Sequence, residues 1–267
     1  MFMRFLNGTS KILMAVVLSY FLMACGKQSP NTLVIGTISG PETELVDVAQ
    51  KVAAEQYGLT IKIIEFSDYN LPNEALEDGT LDANVYQHLP YLKAASKAHG
   101  YDLDVIGKTF VYPTGLYSSK FKSLKKLPNG AIIALPNDPS NEARALLLLQ
   151  KAGLITLKKG ESTTLHDIAS NPKNIQFKEL DAAQLPRILR DVDAAVINTT
   201  FAIPAGLNPS RDALFMENKN SPYANLIVIR RDSDKKEQLL LFVKAMNSKD
   251  VKDKATALFG GAAIPAW

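Results

Sequence analysis

From residue 32 onward the apolar positions alternate between two periods. Thr32-Leu-Val-Ile-Gly36 is a short continuous apolar run closed by glycine and reads as a buried strand. After a loop over 37–41, Leu45, Val46, Ala49, Val52 and Ala53 recur at helical spacing until Gly58 stops them. Ile61 to Phe66 is a second strand. Strand, helix and strand in so short a span make the βαβ unit of an α/β fold. The pattern continues with a short helix from Leu71 that stops at Gly79, a strand over Leu81–Tyr86, a helix running to Gly100 and a β-branched run over Val105–Tyr112.

The second half repeats the scheme. Gly115–Tyr117 is extended, 125–130 is a turn, and Ala131–Leu135 is a strand that feeds a helix ending near Gly153. Beyond it the pattern predicts a short helix over Thr164–Ala169, a strand over Ile175–Leu180, a helix over Asp181–Arg190, a strand over Asp193–Ile197 and a helix over Phe201–Ala205. Strands over Asp212–Met216 and Leu226–Arg230 follow, then helices over Lys235–Met246 and Val251–Phe259, and a tail from Gly260 to Trp267. No Pro/Gly/Ser-rich linker parts the halves and no solenoid repeat is present. Two lobes joined by strands are therefore expected, rather than two independent domains.

The N-terminus follows neither period. Met1 to Lys11 carries two positive charges and no acid, and Ile12 to Met23 is apolar apart from Ser19. That run is about half the ~20 residues of a membrane-spanning helix and has the length of a secretory core. Leu22-Met23-Ala24-Cys25-Gly26 follows, with the chain's only cysteine. A lone cysteine forms no internal disulfide. The segment resembles a bacterial lipobox, which implies cleavage before Cys25 and lipid on its sulfur and new amine, the alternative being a free reactive thiol. Residues 1–24 are then a lipoprotein signal peptide and 25–31 a lipidated tether. The mature protein would sit in the bacterial cell envelope outside the cytoplasm, on the periplasmic side of a Gram-negative cell.

Charge adds an exclusion. The chain has 30 Lys+Arg against 27 Asp+Glu. Setting aside Arg4 and Lys11 leaves 28 against 27, so the body offers no general field for nucleic acid. The lysines at 120, 122, 125 and 126 read as a solvated face.

Candidate chemistry centres on Leu135-Pro-Asn-Asp-Pro-Ser-Asn-Glu-Ala-Arg144. A strand ends, two prolines pass, and a helix starts with Asp138 or Ser140 as N-cap and Pro139 in its first turn. Asn141 and Arg144 then share a face beside free backbone N–H groups at the positive helix end, which suits a small anion, most naturally a carboxylate. Tyr69, Tyr86, His88, Tyr91 and Tyr112 fall at carboxyl ends of strands, where open α/β sheets bind ligands, and suggest an aromatic-walled pocket. Catalytic signatures are missing. There is no Gly-x-Ser-x-Gly, no phosphate loop and no dinucleotide fingerprint, and the Ser-x-x-Lys matches at Ser119 and Ser123 lack their companions. His88, His99 and His166 have no metal-ligand spacing, and Glu77/Asp78 and Asp102/Asp104 sit in turns. No catalytic residue, metal or cofactor is expected.

The chain also resembles a known family. Asp68-Tyr69-x-Leu-Pro-Asn-Glu-Ala-Leu76, Leu81-Asp-Ala-Asn84, Gln87-His88-x-Pro90-Tyr91, Thr109-Phe-Val-Tyr-Pro113, Pro136-Asn-Asp-Pro139, Asn141-x-x-Arg144, Asn171-Pro-Lys-Asn174, Gln184-Leu-Pro-Arg187, Ala195-Val-Ile-Asn-Thr-Thr200, Ser221-Pro-Tyr223 and Asn225-Leu-Ile-Val228 are similar to segments of the methionine-binding lipoproteins of the MetQ/NlpA type, substrate-binding proteins of ABC importers. The resemblance implies the two-lobed periplasmic-binding-protein fold, with lobe 1 formed by 32–111 plus 229–267, lobe 2 by 112–228, and hinge strands near 111–117 and 224–230. It implies that a monomer closes on L-methionine and hands it to a membrane permease and ATPase complex, with D-methionine, another small amino acid or a methionine-containing dipeptide as alternative ligands and an envelope lipoprotein with a vestigial pocket as an alternative role. Arg144 with Asn141 would take the α-carboxylate, Asn198 and Asn225 would offer carbonyls to the α-amine, and the five aromatics would line the thioether pocket. Tyr86 stands where relatives often have Phe, and Glu142 adds an acid between the two anion-binding residues.

Overall fold

The computed structural model describes residues 31–160, 163–218 and 221–267. The signal peptide, Cys25 and most of the tether lie outside the described residues. In the first half, β1 (Thr32–Ile38), α1 (Pro41–Tyr57), β2 (Thr60–Phe66), α2 (Leu71–Glu77), β3 (Ala83–His88), α3 (Leu89–His99) and β4 (Leu103–Val111) follow one another. The second half brings β5 (Gly115–Tyr117), β6 (Ile132–Pro136), α4 (Pro139–Lys151), β7 (Thr156–Leu157), β8 (Ile168–Ser170), β9 (Gln176–Leu180), α5 (Leu185–Ile188), β10 (Ala194–Ile197), α6 (Thr199–Ala202), α7 (Pro209–Asp212) and β11 (Phe215–Met216). The chain then returns through β12 (Ala224–Arg230), α8 (Lys236–Met246), α9 (Lys249–Phe259) and β13 (Ile264–Pro265).

Two sheets form two lobes. The first has strand order β13-β4-β12-β3-β1-β2 and the second β11-β5-β10-β6-β9. Parallel pairs occupy one side of each: β2, β1 and β3 in the first, β9, β6 and β10 in the second. Such strands are covered on both faces, which is why Ala83–His88 and Ala194–Ile197 are buried throughout. Side-chain alternation splits each lobe's core into two layers. In lobe 2, Ile133, Leu135, Ala194 and Val196 pack with α4, while Ala134, Ala195 and Ile197 pack with Leu185 and Ala202. In lobe 1, Leu33, Ile35, Val85, Ile227 and Ile229 pack against α1, α8 and α9, while Leu226 and Val228 pack with Leu76, Leu81 and Leu92. Among the described residues no helix is long and apolar enough to cross a membrane.

Several expectations are corrected. β12 lies wholly in the first sheet, paired with β3 and β4. The return crossing therefore precedes Ala224, whereas the sequence reading put the lobe boundary at 228/229, inside the strand. Thr164–Ala169 is a 3-10 turn over Leu165–Asp167 followed by β8, not a helix. Thr164 and Asp167 form a capping box there, a start signal with no apolar stripe behind it to sustain a helix. Asp212 ends the short helix α7 and only Phe215–Met216 is strand. The tail contains β13, which covers the outer edge of β4.

Candidate functional site

Carboxyl ends of β2, β3, β6 and β10 converge on the cleft between the lobes. β12 runs antiparallel to β3 and β4, so its beginning meets their ends, with Asn225 opposite His88 and Ala224 opposite Val111. The chain also crosses between lobes at this end. One pocket results, and its lining contains all nine expected residues: Tyr69, Tyr86, His88, Tyr91, Tyr112, Asn141, Arg144, Asn198 and Asn225. Gln87, Thr199 and Thr200 complete the wall.

The lobe 2 side is built around the start of α4. Asp138 is the N-cap, accepting 2.9 Å from the backbone N–H of Asn141. Its carboxylate also takes the Asn141 amide nitrogen at 3.0 and 2.9 Å, which fixes the amide's orientation. Asn141 Oδ1 then accepts from Asn198 Nδ2 at 2.8 Å. The relay leaves Asn198 Oδ1 buried without a partner among the described residues. An orphaned buried acceptor costs about 1–3 kcal/mol until a donor meets it, and here it belongs to a residue of the pocket wall. Asn141 thus lines the pocket while held between Asp138 and Asn198. Its amide nitrogen donates to Asp138 and its carbonyl orients the Asn198 amide.

Arg144 is similarly committed. It is 5% exposed, and its Nε and Nη2 donate to the Glu217 carboxylate, Nε at 3.2 Å to each oxygen. Nη2 also donates to the Tyr112 carbonyl at 3.0 Å, and the Tyr223 ring covers the guanidinium at 4.3 Å. The hydrogen bonds of Arg144 to the described residues run through Nε and Nη2, and none runs through Nη1. Glu142 does not weaken that field directly: its side chain leaves the pocket and accepts from Leu165 N at 3.0 Å.

The lobe 1 side is aromatic. Tyr69, Tyr86 and Tyr91 form a triangle of rings with centroids 5.8–5.9 Å apart, and Tyr69 reaches Phe201 of lobe 2 at 4.9 Å. The hydroxyls of Tyr86 and Tyr91 donate to the Tyr69 carbonyl at 3.3 and 2.8 Å. The extra hydroxyl of Tyr86 is therefore satisfied by backbone, leaving ring surface for the pocket. Burial holds these phenols un-ionised, pushing Tyr86 and Tyr112 well above the usual range. His88 caps α3: its Nδ1 accepts from Tyr91 N at 3.2 Å, so the neutral ring carries its proton on Nε2, 3.4 Å from Asn141 Oδ1. Burial, with the nearby Arg144 charge, pushes its pKa down to about 3.

Glu217, Glu42 and Tyr223 went unassigned from sequence. Glu217 and Glu42 meet their partners across 73 and 183 residues, and no local pattern marks either one. Tyr223 stood in a matched segment, Ser221-Pro-Tyr223, but nothing there signals that its ring covers a guanidinium. Among the described residues no cluster of His, Cys, Asp or Glu could hold a metal ion.

Two α/β lobes closing over one small-solute pocket define a periplasmic-type substrate-binding protein. The chain belongs to the NlpA lipoprotein family, which matches residues 33–267. It is 49% identical over 259 residues to the D-methionine-binding lipoprotein MetQ of Salmonella typhi, covering 95% of this chain and 96% of that one. A periplasmic substrate-binding protein of an ABC transporter from Coxiella burnetii superposes with a TM-score of 0.85 at 59% identity, covering 88% of this chain and 100% of that one. A nutrient-binding protein from Burkholderia cenocepacia bound to methionine gives the same TM-score at 51% identity, with the same coverage. All three of these relatives are described as binding proteins.

Proposed function

We propose that this protein captures methionine and delivers it to an ABC importer in the membrane to which Cys25 is lipid-anchored. The observation that carries the reading is the division of the pocket. Lobe 2 presents one free guanidinium corner and one orphaned carbonyl, the complement of a carboxylate and an ammonium. Lobe 1 presents a cluster of tilted and edge-on rings, against which a polarizable thioether sulfur gains about 0.3–1.5 kcal/mol per contact. In this reading Arg144 Nη1 takes the carboxylate, Asn198 and Asn225 carbonyls take the ammonium, and Tyr69, Tyr86, Tyr91, Tyr112 and His88 enclose the side chain. Asn141 holds Asn198 in register. The similarity to a methionine-bound protein supports the ligand, and the relatives named as lipoproteins support the anchor. L-methionine is the principal ligand in this reading, and the similarity to a relative named for D-methionine supports the D-isomer as a second one.

Titration calorimetry on the signal-less protein tests this. L-methionine should bind at one site, and norleucine, which replaces sulfur with a methylene, should bind more weakly. Absence of heat with every amino acid would contradict the reading.

A further inference from the structure

Glu42 stands in the first turn of α1 and is 3% exposed, yet it does not line the pocket. Its Oε1 accepts from Asn225 Nδ2 at 2.6 Å and its Oε2 from Thr200 Oγ1 at 3.3 Å. Those two partners do line the pocket, and they belong to different lobes: Asn225 opens β12 and Thr200 lies in α6. The second amide proton of Asn225 goes to the Tyr86 carbonyl at 3.0 Å. With both N–H groups committed, Asn225 can only turn its carbonyl toward the pocket. The seam is tight at this point, since a Cβ on neighbouring Gly40 would come within 3.1 Å of Pro204 of lobe 2.

We propose that Glu42 is a positioning residue for the ligand's ammonium group: it sets the Asn225 amide so that its carbonyl faces the ligand, and through Thr200 it ties that setting to closure of the lobes. The inference rests on the amino-acid reading of the pocket. Burial supports it by pushing the Glu42 carboxyl up to about 8, so it is largely uncharged at neutral pH until a cation arrives. The titratable groups facing it are the phenols of Tyr69 and Tyr112, both held neutral; Asp138 and Arg144 act on Tyr69 from the other lobe, and among the described residues no cation pairs with Glu42. An ammonium at Asn225 favours the carboxylate, so binding releases a proton and affinity rises as pH climbs toward 8.

The experiment is a cycle of two ligands and three proteins. L-methionine and its desamino analogue 4-(methylthio)butanoate are titrated into wild type, Glu42→Gln and Glu42→Ala between about pH 6 and pH 8, with thermal melting of each. Glutamine can accept from Asn225 and donate to Thr200, so Glu42→Gln should match wild type near pH 6 and lose the tightening toward pH 8. Glu42→Ala should weaken L-methionine by about tenfold or more and leave the desamino analogue within about twofold. Equal weakening of both ligands, or identical pH profiles for wild type and Glu42→Gln, would overturn the proposal. A wild-type protein that binds no amino acid overturns both readings. One that binds a different amino acid overturns only methionine, and the same cycle run with that ligand and its desamino analogue decides the role of Glu42.

Discussion

Replacing Arg144 with alanine removes the cationic half of a pair whose members are 5% and 8% exposed. The guanidinium is bonded to Glu217 through two nitrogens, to the Tyr112 carbonyl, and lies under the Tyr223 ring. Alanine would strand the Glu217 carboxylate in a dry site, without its guanidinium and with Thr114 N–H 3.3 Å away. Breaking a buried pair in this way costs about 3–5 kcal/mol. A protein of this size loses roughly 2–4 °C of melting temperature per kcal/mol, so Arg144→Ala should melt on the order of 10 °C below wild type. Methionine should then neither bind nor restore the loss. The double variant Arg144→Met/Glu217→Leu removes both charges together and should recover most of the stability, because a buried pair is often matched by apolar residues. It should still fail to bind. The assay is circular-dichroism melting with and without methionine, joined to calorimetry. An Arg144→Ala protein that melts with wild type while losing the ligand would refute the reasoning, since the arginine would then face ligand alone and owe nothing to Glu217.

Two further outcomes follow from other parts of the molecule. His88 has a native pKa pushed down to about 3 from 6.5, so the unfolded chain takes up a proton as pH falls below 6.5 while the native state refuses it; stability should fall between pH 6.5 and 3 by up to about 1.4 kcal/mol per pH unit from this residue. His88→Asn keeps an N-cap acceptor for α3 and should flatten that part of the acid limb, which denaturant melts at stepped pH would read. In cells, the protein should incorporate a labelled fatty acid and Cys25→Ser should not, with methionine affinity unaltered; equal labelling of the two would refute the lipid anchor.

The fold was legible where local pattern and tertiary demand coincide. Continuous apolar runs at Thr32–Gly36, Ala131–Leu135 and Asp193–Ile197 became central parallel strands, and Pro136–Arg144 became a strand, an N-cap and a helix as its residues dictate, with Asp138 in the capping role. Strand-end position also brought the aromatics into one pocket, because ligand clefts form outside carboxyl strand ends. Short elements escaped because their stability comes from partners. β13 is strand only where the edge of β4 receives it, and Asp212 was drawn from β into helix by the Asn208 cap ahead of it. The polar wiring of the site was invisible for the same reason. Asn141 and Arg144 looked like free anion ligands because neither Asp138's hold on the amide nor the distant Glu217 can be read from helical spacing. Their full set of partners emerges only when lobe 2 folds and brings Asn198 and Glu217 to the start of α4.

The most direct test of the central claim is a competition. Purified protein is unfolded, stripped of small molecules, refolded, and mixed with all twenty amino acids at equal concentration, and the complex is weighed by native mass spectrometry. The account predicts one dominant adduct of stoichiometry one with the mass of methionine, lost in Asn198→Ala and in Arg144→Met/Glu217→Leu. A dominant adduct with any other mass, or none, would contradict it.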